Sequence, residues 1–231
     1  MLSNFFIRNS KFFIPLLSCL ASVRTTIVIP CRNAANTVEA AVKAALEQTE
    51  RPAEVIVVDD ASDDNSAAVA EKAGARVIRN ETRRNAGGAR NAGMAVARGD
   101  LIAFLDADAV PQPDWLALAR EILEKDSSIA AVGGRIENGR SSTYGKLDYY
   151  MNHSEWISGT PGEKANVPTM AIVYRRSAIE GLQFPESNSG EDTAFAMAVT
   201  ARGGKLWFDP RISVTHNHER LDWESYWEKQ V

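Results

Sequence analysis

Apolar positions in the first 140 residues alternate between two patterns. Short β-branched runs, "TTIVIP" ending at Pro30 and "EVIVVDD" ending at Asp59 and Asp60, predict strands buried on both faces. Between them Val38, Ala41, Val42, Ala45 and Leu46 recur at helical spacing, with Asn36 the expected cap, Glu39 three residues on, and an end near Gln48. "DNSAAVAEKAG" predicts a second helix closed by Gly74, and "ARVIRN" a third strand. "NAGGARNAGMAVARG" reads as a glycine-opened helix stopping at Gly99, and "LIAFLDAD" as a fourth strand. A helix from about Asp114 to Lys125 and a fifth strand, "IAAVGGRI", follow.

Strands and helices in this rhythm predict an α/β/α sandwich around a mostly parallel sheet with right-handed crossovers. Such sheets bind ligands at the carboxyl ends of their strands. Arg32 with Asn33, Asp59 with Asp60, and Asp106 with Asp108 therefore share one edge. From Glu137 to Pro168 the periodicity fades, predicting a long loop region with one helix around Tyr144 to His153. Loops of that length are usually functional or mobile. With no repeat and no linker, residues 25–220 form one domain, with a first half 25–135 for ligand binding and a second half 136–220. Residues 1–24 are an apolar N-terminal segment. Residues 221–231, "LDWESYWEKQV", predict an amphipathic helix presenting Trp223, Tyr226 and Trp227.

The 231 residues are 45% hydrophobic, enough for one substantial core. A net charge of -4 from nearly balanced acids and bases carries no footprint for nucleic acid, and a sugar, nucleotide or other small substrate fits better. Two cysteines, Cys19 and Cys31, make no disulfide framework and point to a reducing compartment, the cytoplasm. Arg8 and Lys11 precede an apolar stretch from Phe12 to Val23 that Pro15 interrupts. It is shorter than the about 20 residues that span a bilayer, and the first strand follows too closely for a signal cleavage region. The expectation is a peripheral contact with the inner face of the membrane or a docking segment, with an unstructured leader as the alternative.

Asp106 and Asp108 stand two apart at the end of an apolar run. In an extended segment both point the same way, and paired anions call for a cation or a proton between them. Hard oxygens with open positions suit Mg²⁺ or Mn²⁺, completed by a diphosphate and water. Alternatively the pair simply ends a strand, with Asp106 capping the turn. "FLDADAV" is also similar to the opening motif of haloacid-dehalogenase-like phosphatases, in which Asp106 would be the nucleophile and Asp108 the acid. That motif normally lies on a first strand, not a fourth. No Gly-x-Gly-x-x-Gly follows the first strand, which argues against a dinucleotide-dependent dehydrogenase.

Taken in order, "TIVIPCRNAANTVEAAVKAALEQT", "EVIVVDDASDDNS", "RNAGGARNAGMAVARGDLIAFLDADAVPQPDWL" and "GEDTAFAMAVTARGGK" resemble the successive motifs of inverting glycosyltransferase family 2, which has the GT-A nucleotide-sugar fold. The resemblance runs from about Thr25 to His218. It implies that Asp60 reads the nucleotide base beside a rim of Pro30, Arg32 and Asn33, with Asp59 only capping the turn. Many relatives carry an aromatic residue at the Arg32 position, and arginine can stack by its flat guanidinium. Gly87 and Gly88 would admit a ligand close to a helix start, and Arg90 would lie near the ribose and diphosphate. Asp106 would lie near the ribose or a metal-bound water, and Asp108 would coordinate Mn²⁺ or Mg²⁺. A histidine, His216 or His218, would complete the metal site or touch the diphosphate. Asp192 in "SGEDTAF" aligns with the general base, although Glu191 and Asp192 also suit a helix start through the dipole. "TMAIVYRR", Thr169 to Arg176, would lie beside the acceptor. The resemblance thus implies transfer of one sugar, most simply from a UDP-sugar, to a glycan, lipid-linked or other hydroxyl acceptor in polysaccharide, glycolipid or cell-envelope glycan synthesis. A non-catalytic nucleotide-sugar-binding domain is the remaining alternative.

Overall fold

A computed structural model describes residues 23–217 and Glu224. The segment 1–22, His218 and the expected helix at 221–231 lie outside the described residues. Among the described residues, no helix is long and apolar enough to cross a membrane.

The first strand, β1 (Thr25–Cys31), sends Ile27 and Ile29 to one face and Val28 to the other, all fully buried. It pairs in parallel with β2 (Glu54–Asp60) on one side and β4 (Leu101–Leu105) on the other, and β3 (Arg76–Asn80) pairs in parallel with β2. The β1–β4 ladder ends at Val28↔Phe104, so Pro30, which has no N–H to give, lies past it. Helices α1 (Val38–Leu46), α2 (Ser66–Ala73) and α4 (Trp115–Lys125) cover the face carrying Ile27, Ile29 and Val57. Helices α3 (Asn85–Val96) and α7 (Glu191–Ala201) cover the face carrying Val28, Ile56 and Phe104. Because α1 and α3 leave β1 and β3 toward opposite faces, the strand order switches direction between β1 and β4. Crevices of this kind hold ligands at the carboxyl edge.

The second half extends the sheet with antiparallel pairs. Residues Ala171–Arg175 form β8, inserted antiparallel between β4 and β6 (Ile129–Asn138). A long strand β9 (Lys205–His216) runs parallel to β6, and the short β5 (Ala109–Pro111) and β7 (Gly162–Lys164) pair antiparallel with it. The full order is β3-β2-β1-β4-β8-β6-β9-β5, with β7 also on β9. Helix α5 (Thr143–His153) lies where one helix was expected in the aperiodic stretch, and a short α6 (Arg176–Ile179) follows β8.

Three local expectations change. The segment "TMAIVYRR" is a central strand, with Tyr174 fully buried, so most of it is core rather than acceptor-facing. The fourth strand stops at Leu105 instead of running to Asp108. There the Asp106 N–H donates to the Met170 carbonyl at 3.0 Å and the Asp106 carbonyl accepts from Ala109 N–H at 3.1 Å, which closes a turn. Asn36 does not cap α1. The chain enters that helix through a turn in which Thr37 N–H donates to the Ala34 carbonyl at 3.0 Å, and Thr37 takes the cap position without a side-chain bond.

Candidate functional site

At the ends of β1 and β2, two loops are tied together by side chains. Arg32 Nη1 donates to the carbonyls of Asp60 and Ala61, each at 2.8 Å, and Nη2 reaches Asp63 at 3.4 Å. Asn33 adopts a left-handed backbone with φ 48°, a conformation asparagine tolerates. Its N–H donates to Ser62 Oγ at 3.0 Å, and its Oδ1 accepts from Asp63 N–H at 2.9 Å. Pro30, Arg32 and Asn33 therefore do stand beside Asp60 as one rim.

The two aspartates that end β2 exchange the duties expected of them. Asp60, on the α3 face, accepts from Asn80 Nδ2 at 2.8 Å and from Arg84 N–H at 2.9 Å, bracing the loop into α3. Asp59, expected to cap the turn, points to the opposite face, where its buried Oδ1 has no hydrogen-bond partner among the described residues. Successive residues on a strand face opposite ways, which is why one capping role could not serve both. The Asp60 carboxylate keeps lone pairs on Oδ2 for one more donor.

Helix α3 carries the site onward. A Cβ on Gly87 would lie 2.1 Å from the Pro185 carbonyl oxygen, and one on Gly88 would lie 2.4 Å from Arg84 Cβ and 3.3 Å from Glu186 Oε2. The close approach that these glycines permit is thus to the chain's own segment 184–186. Arg84 and Glu186 close over it as an ion pair, with Nε–Oε2 at 3.2 Å. Further along α3, Arg90 is buried, with its guanidinium 5.4 Å from the centre of the Phe184 ring. It bridges Asp106 Oδ1 at 3.0 Å and Glu191 Oε1 at 2.9 Å. Burial raises the Asp106 carboxyl above the usual range, the Asp108 charge adds to this, and Arg90 opposes both.

Helix α7 starts after Gly190, whose φ of 76° suits glycine. Its first carboxylate, Glu191, is committed to Arg90. Asp192 is half-buried, accepts from Thr193 N–H at 2.7 Å, and adds its charge to the burial that pushes the Tyr174 phenol up.

Asp108 lies across from His216, with Oδ2 and Nε2 separated by 3.3 Å. His216 ends β9 in register with Ala109 on β5 and Asn138 on β6. Behind it, Arg140 Nη2 bonds to His216 Nδ1, and Arg140 Nη1 pairs with Asp148 at 2.9 Å, both side chains fully enclosed. Asp148 also accepts from Asn152 Nδ2 at 2.8 Å. Among the described residues no three His, Cys, Asp or Glu side chains gather closely enough to hold a metal by themselves. Neighbouring ligands of a small octahedral cation sit about 3 Å apart, and such cations usually take one or two carboxylates plus phosphate oxygens and water. The exposed side of Asp108 fits that arrangement; a closed protein cage does not form.

Two clusters therefore meet at the carboxyl edge: Asp106, Arg90, Glu191 and Asp192, and Asp108, His216, Arg140 and Asp148. Asp60 and its rim sit at the other end of the crevice, joined to them by α3. Glu191, Arg140, Asp148 and Tyr174 escaped notice as site residues. Glu191 was legible beside Asp192, whereas Arg140 and Asp148 lie in an aperiodic stretch that gives no hint of their pairing.

The family model described as Glycosyl transferase family 2 matches residues 26–182. A pre-mycofactocin glycosyltransferase from Mycobacterium tuberculosis is 31% identical over 213 residues, covering 86% of this chain and 44% of that protein. The succinoglycan biosynthesis protein ExoU of Rhizobium meliloti is 36% identical over 209 residues, covering 82% of this chain and 60% of that one. The chain thus spans about half the length of the curated relatives it matches. Among solved structures, a mannosyltransferase from Pyrobaculum calidifontis in complex with GDP-Man and Mn²⁺ superposes with a TM-score of 0.68 at 22% identity, covering 88% of this chain and 59% of that one.

Proposed function

The chain belongs to glycosyl transferase family 2, and from that membership we propose that it moves one sugar from a nucleoside-diphosphate sugar to an acceptor hydroxyl, inverting the anomeric carbon. The observation that carries the reading is the convergence of Asp60, Arg90, Asp106 and Asp108 on one edge of a sheet within the matched residues. Asp60 accepts a base N–H through Oδ2, with Pro30, Arg32 and Asn33 as its rim. Gly88 and Arg90 flank the ribose and diphosphate, and Asp106, oriented by Arg90, stands beside them. Asp108 holds a divalent cation, Mn²⁺ or Mg²⁺, with His216 facing the same point. The cation supplies electrostatic stabilisation of the nucleoside diphosphate as it leaves.

Asp192 takes the proton of the acceptor hydroxyl. Glu191 beside it is tied to Arg90, which leaves Asp192 as the carboxylate available to move a proton. The donor is most simply a UDP-sugar. The acceptor is a glycan or lipid-linked hydroxyl of polysaccharide or cell-envelope synthesis, approached from the 136–220 half. The segment 1–24 is the proposed contact with a membrane surface. Asp192→Asn tests the assignment: donor binding should persist while transfer falls by about 10²- to 10⁴-fold. Loss of donor binding together with transfer would contradict a role as base.

A further inference from the structure

We propose that the enclosed Arg140–Asp148 pair fixes His216 as a hydrogen-bond donor to the diphosphate of the nucleotide sugar, rather than as a ligand of the cation. Arg140 is thereby a positioning residue. The inference rests on the transferase reading given above for the identity of the diphosphate, but its structural half stands on geometry alone.

A guanidinium has five N–H donors and no acceptor, and it does not deprotonate in proteins. Because Arg140 Nη2 bonds to His216 Nδ1, that nitrogen must present its lone pair. The proton of the ring is then on Nε2, which faces Asp108 Oδ2 at 3.3 Å. A nitrogen that carries a proton has no lone pair for a cation, so the edge His216 turns toward Asp108 is a donor edge. Arg140 is held in place for this. Its Nη1 pairs with Asp148 at 2.9 Å and donates to the Gly145 carbonyl at 3.2 Å, and its backbone N–H donates to Asn138 Oδ1 at 2.9 Å. Asp148 is in turn fixed by Asn152. When a nucleoside diphosphate and its cation occupy the crevice, Asp108 turns to the cation and the Nε2–H passes to a phosphate oxygen. Second-layer partners that set a histidine tautomer in this way commonly govern what the ring can do.

The test begins on the full chain without ligand. Long-range ¹H–¹⁵N correlation spectra report each nitrogen of the three histidines, with His216 assigned by loss of its signals in His216→Gln. A protonated Nε2 and an unprotonated Nδ1 are expected, and a protonated Nδ1 would overturn the proposal. Removing Arg140 alone strands Asp148 in the interior, so the informative variant is Arg140→Met with Asp148→Leu, which replaces the pair by apolar groups. With folding confirmed by circular dichroism, the double variant should lose the Nε2–H preference, and Arg140→Lys should retain part of it. An unchanged tautomer would reduce the pair to a structural role and overturn the proposal. Finally, His216→Ala should leave binding of Mn²⁺ alone, followed by the electron paramagnetic resonance of the free ion, unchanged. It should weaken UDP or GDP binding by about tenfold or more. Loss of Mn²⁺ binding in His216→Ala would make His216 a metal ligand and refute the inference. A wild-type chain that binds neither nucleotide would instead refute the transferase reading and leave the tautomer result standing.

Discussion

Arg90 shows how single residues in this chain acquire meaning only in three dimensions. Its position one turn into α3 was legible from "NAGGARNAG", and so was its partner Asp106. That it also holds Glu191, 101 residues away, depends on where α7 docks. Asp59 and Asp60 make the same point in reverse: adjacent letters on a strand face opposite layers, so their duties separate only once the layers are known. Cys31 gives a prediction at this scale. Burial, and secondarily the charges of Asp59 and Asp64, push its thiol up from an ordinary 9.0 to about 12, against a bond to Ser66. Between those two values the unfolded chain releases the proton and the folded chain keeps it. This contribution is therefore complete below about pH 9 and is lost as the pH rises toward 12. Urea denaturation of wild type and Cys31→Val between pH 8 and 11 should show the wild type losing more stability with rising pH; parallel slopes would count against it.

At the scale of elements, α3 is built to lie close. A Cβ on Gly93 would stand 2.3 Å from Val28 Cγ1, and Val28 is fully buried on β1. Alanine is the better helix former by about 1 kcal/mol, so propensity alone predicts that Gly93→Ala stabilises. Overpacking against a sheet costs about 1–3 kcal/mol and should win, lowering the melting temperature in a thermal scan, with Val28→Ala in the same chain restoring part of it. A rise in melting temperature would show that α3 can back away freely. Elements with strong local periodicity, from β1 through β6, were legible in the sequence. The insertion of β8 between β4 and β6 was not, because a five-residue apolar strand says nothing about which neighbours it will join. The twelve-residue β9 was hidden for another reason: Asp209, Pro210 and Arg211 interrupt its apolar pattern where its register with β6 shifts between Gly133 and Arg135.

For the molecule as a whole, the parallel half β3-β2-β1-β4 supplies the crevice at its switch point, and the antiparallel half brings α7 and the end of β9 to its rim. The base rim, the cation carboxylate and the proton acceptor thus come from three separated stretches of chain, as expected if donor and acceptor are read by different halves. Asp192→Asn probes the second half; the first is probed by binding. The most direct measurement is calorimetry of the full chain with UDP, GDP, dTDP and CDP, with and without Mn²⁺, on wild type and Asp108→Ala. The account predicts that one nucleotide binds, that Mn²⁺ strengthens its binding, and that Asp108→Ala abolishes the metal effect. Binding of none of the four, or a metal effect that survives in Asp108→Ala, would contradict it.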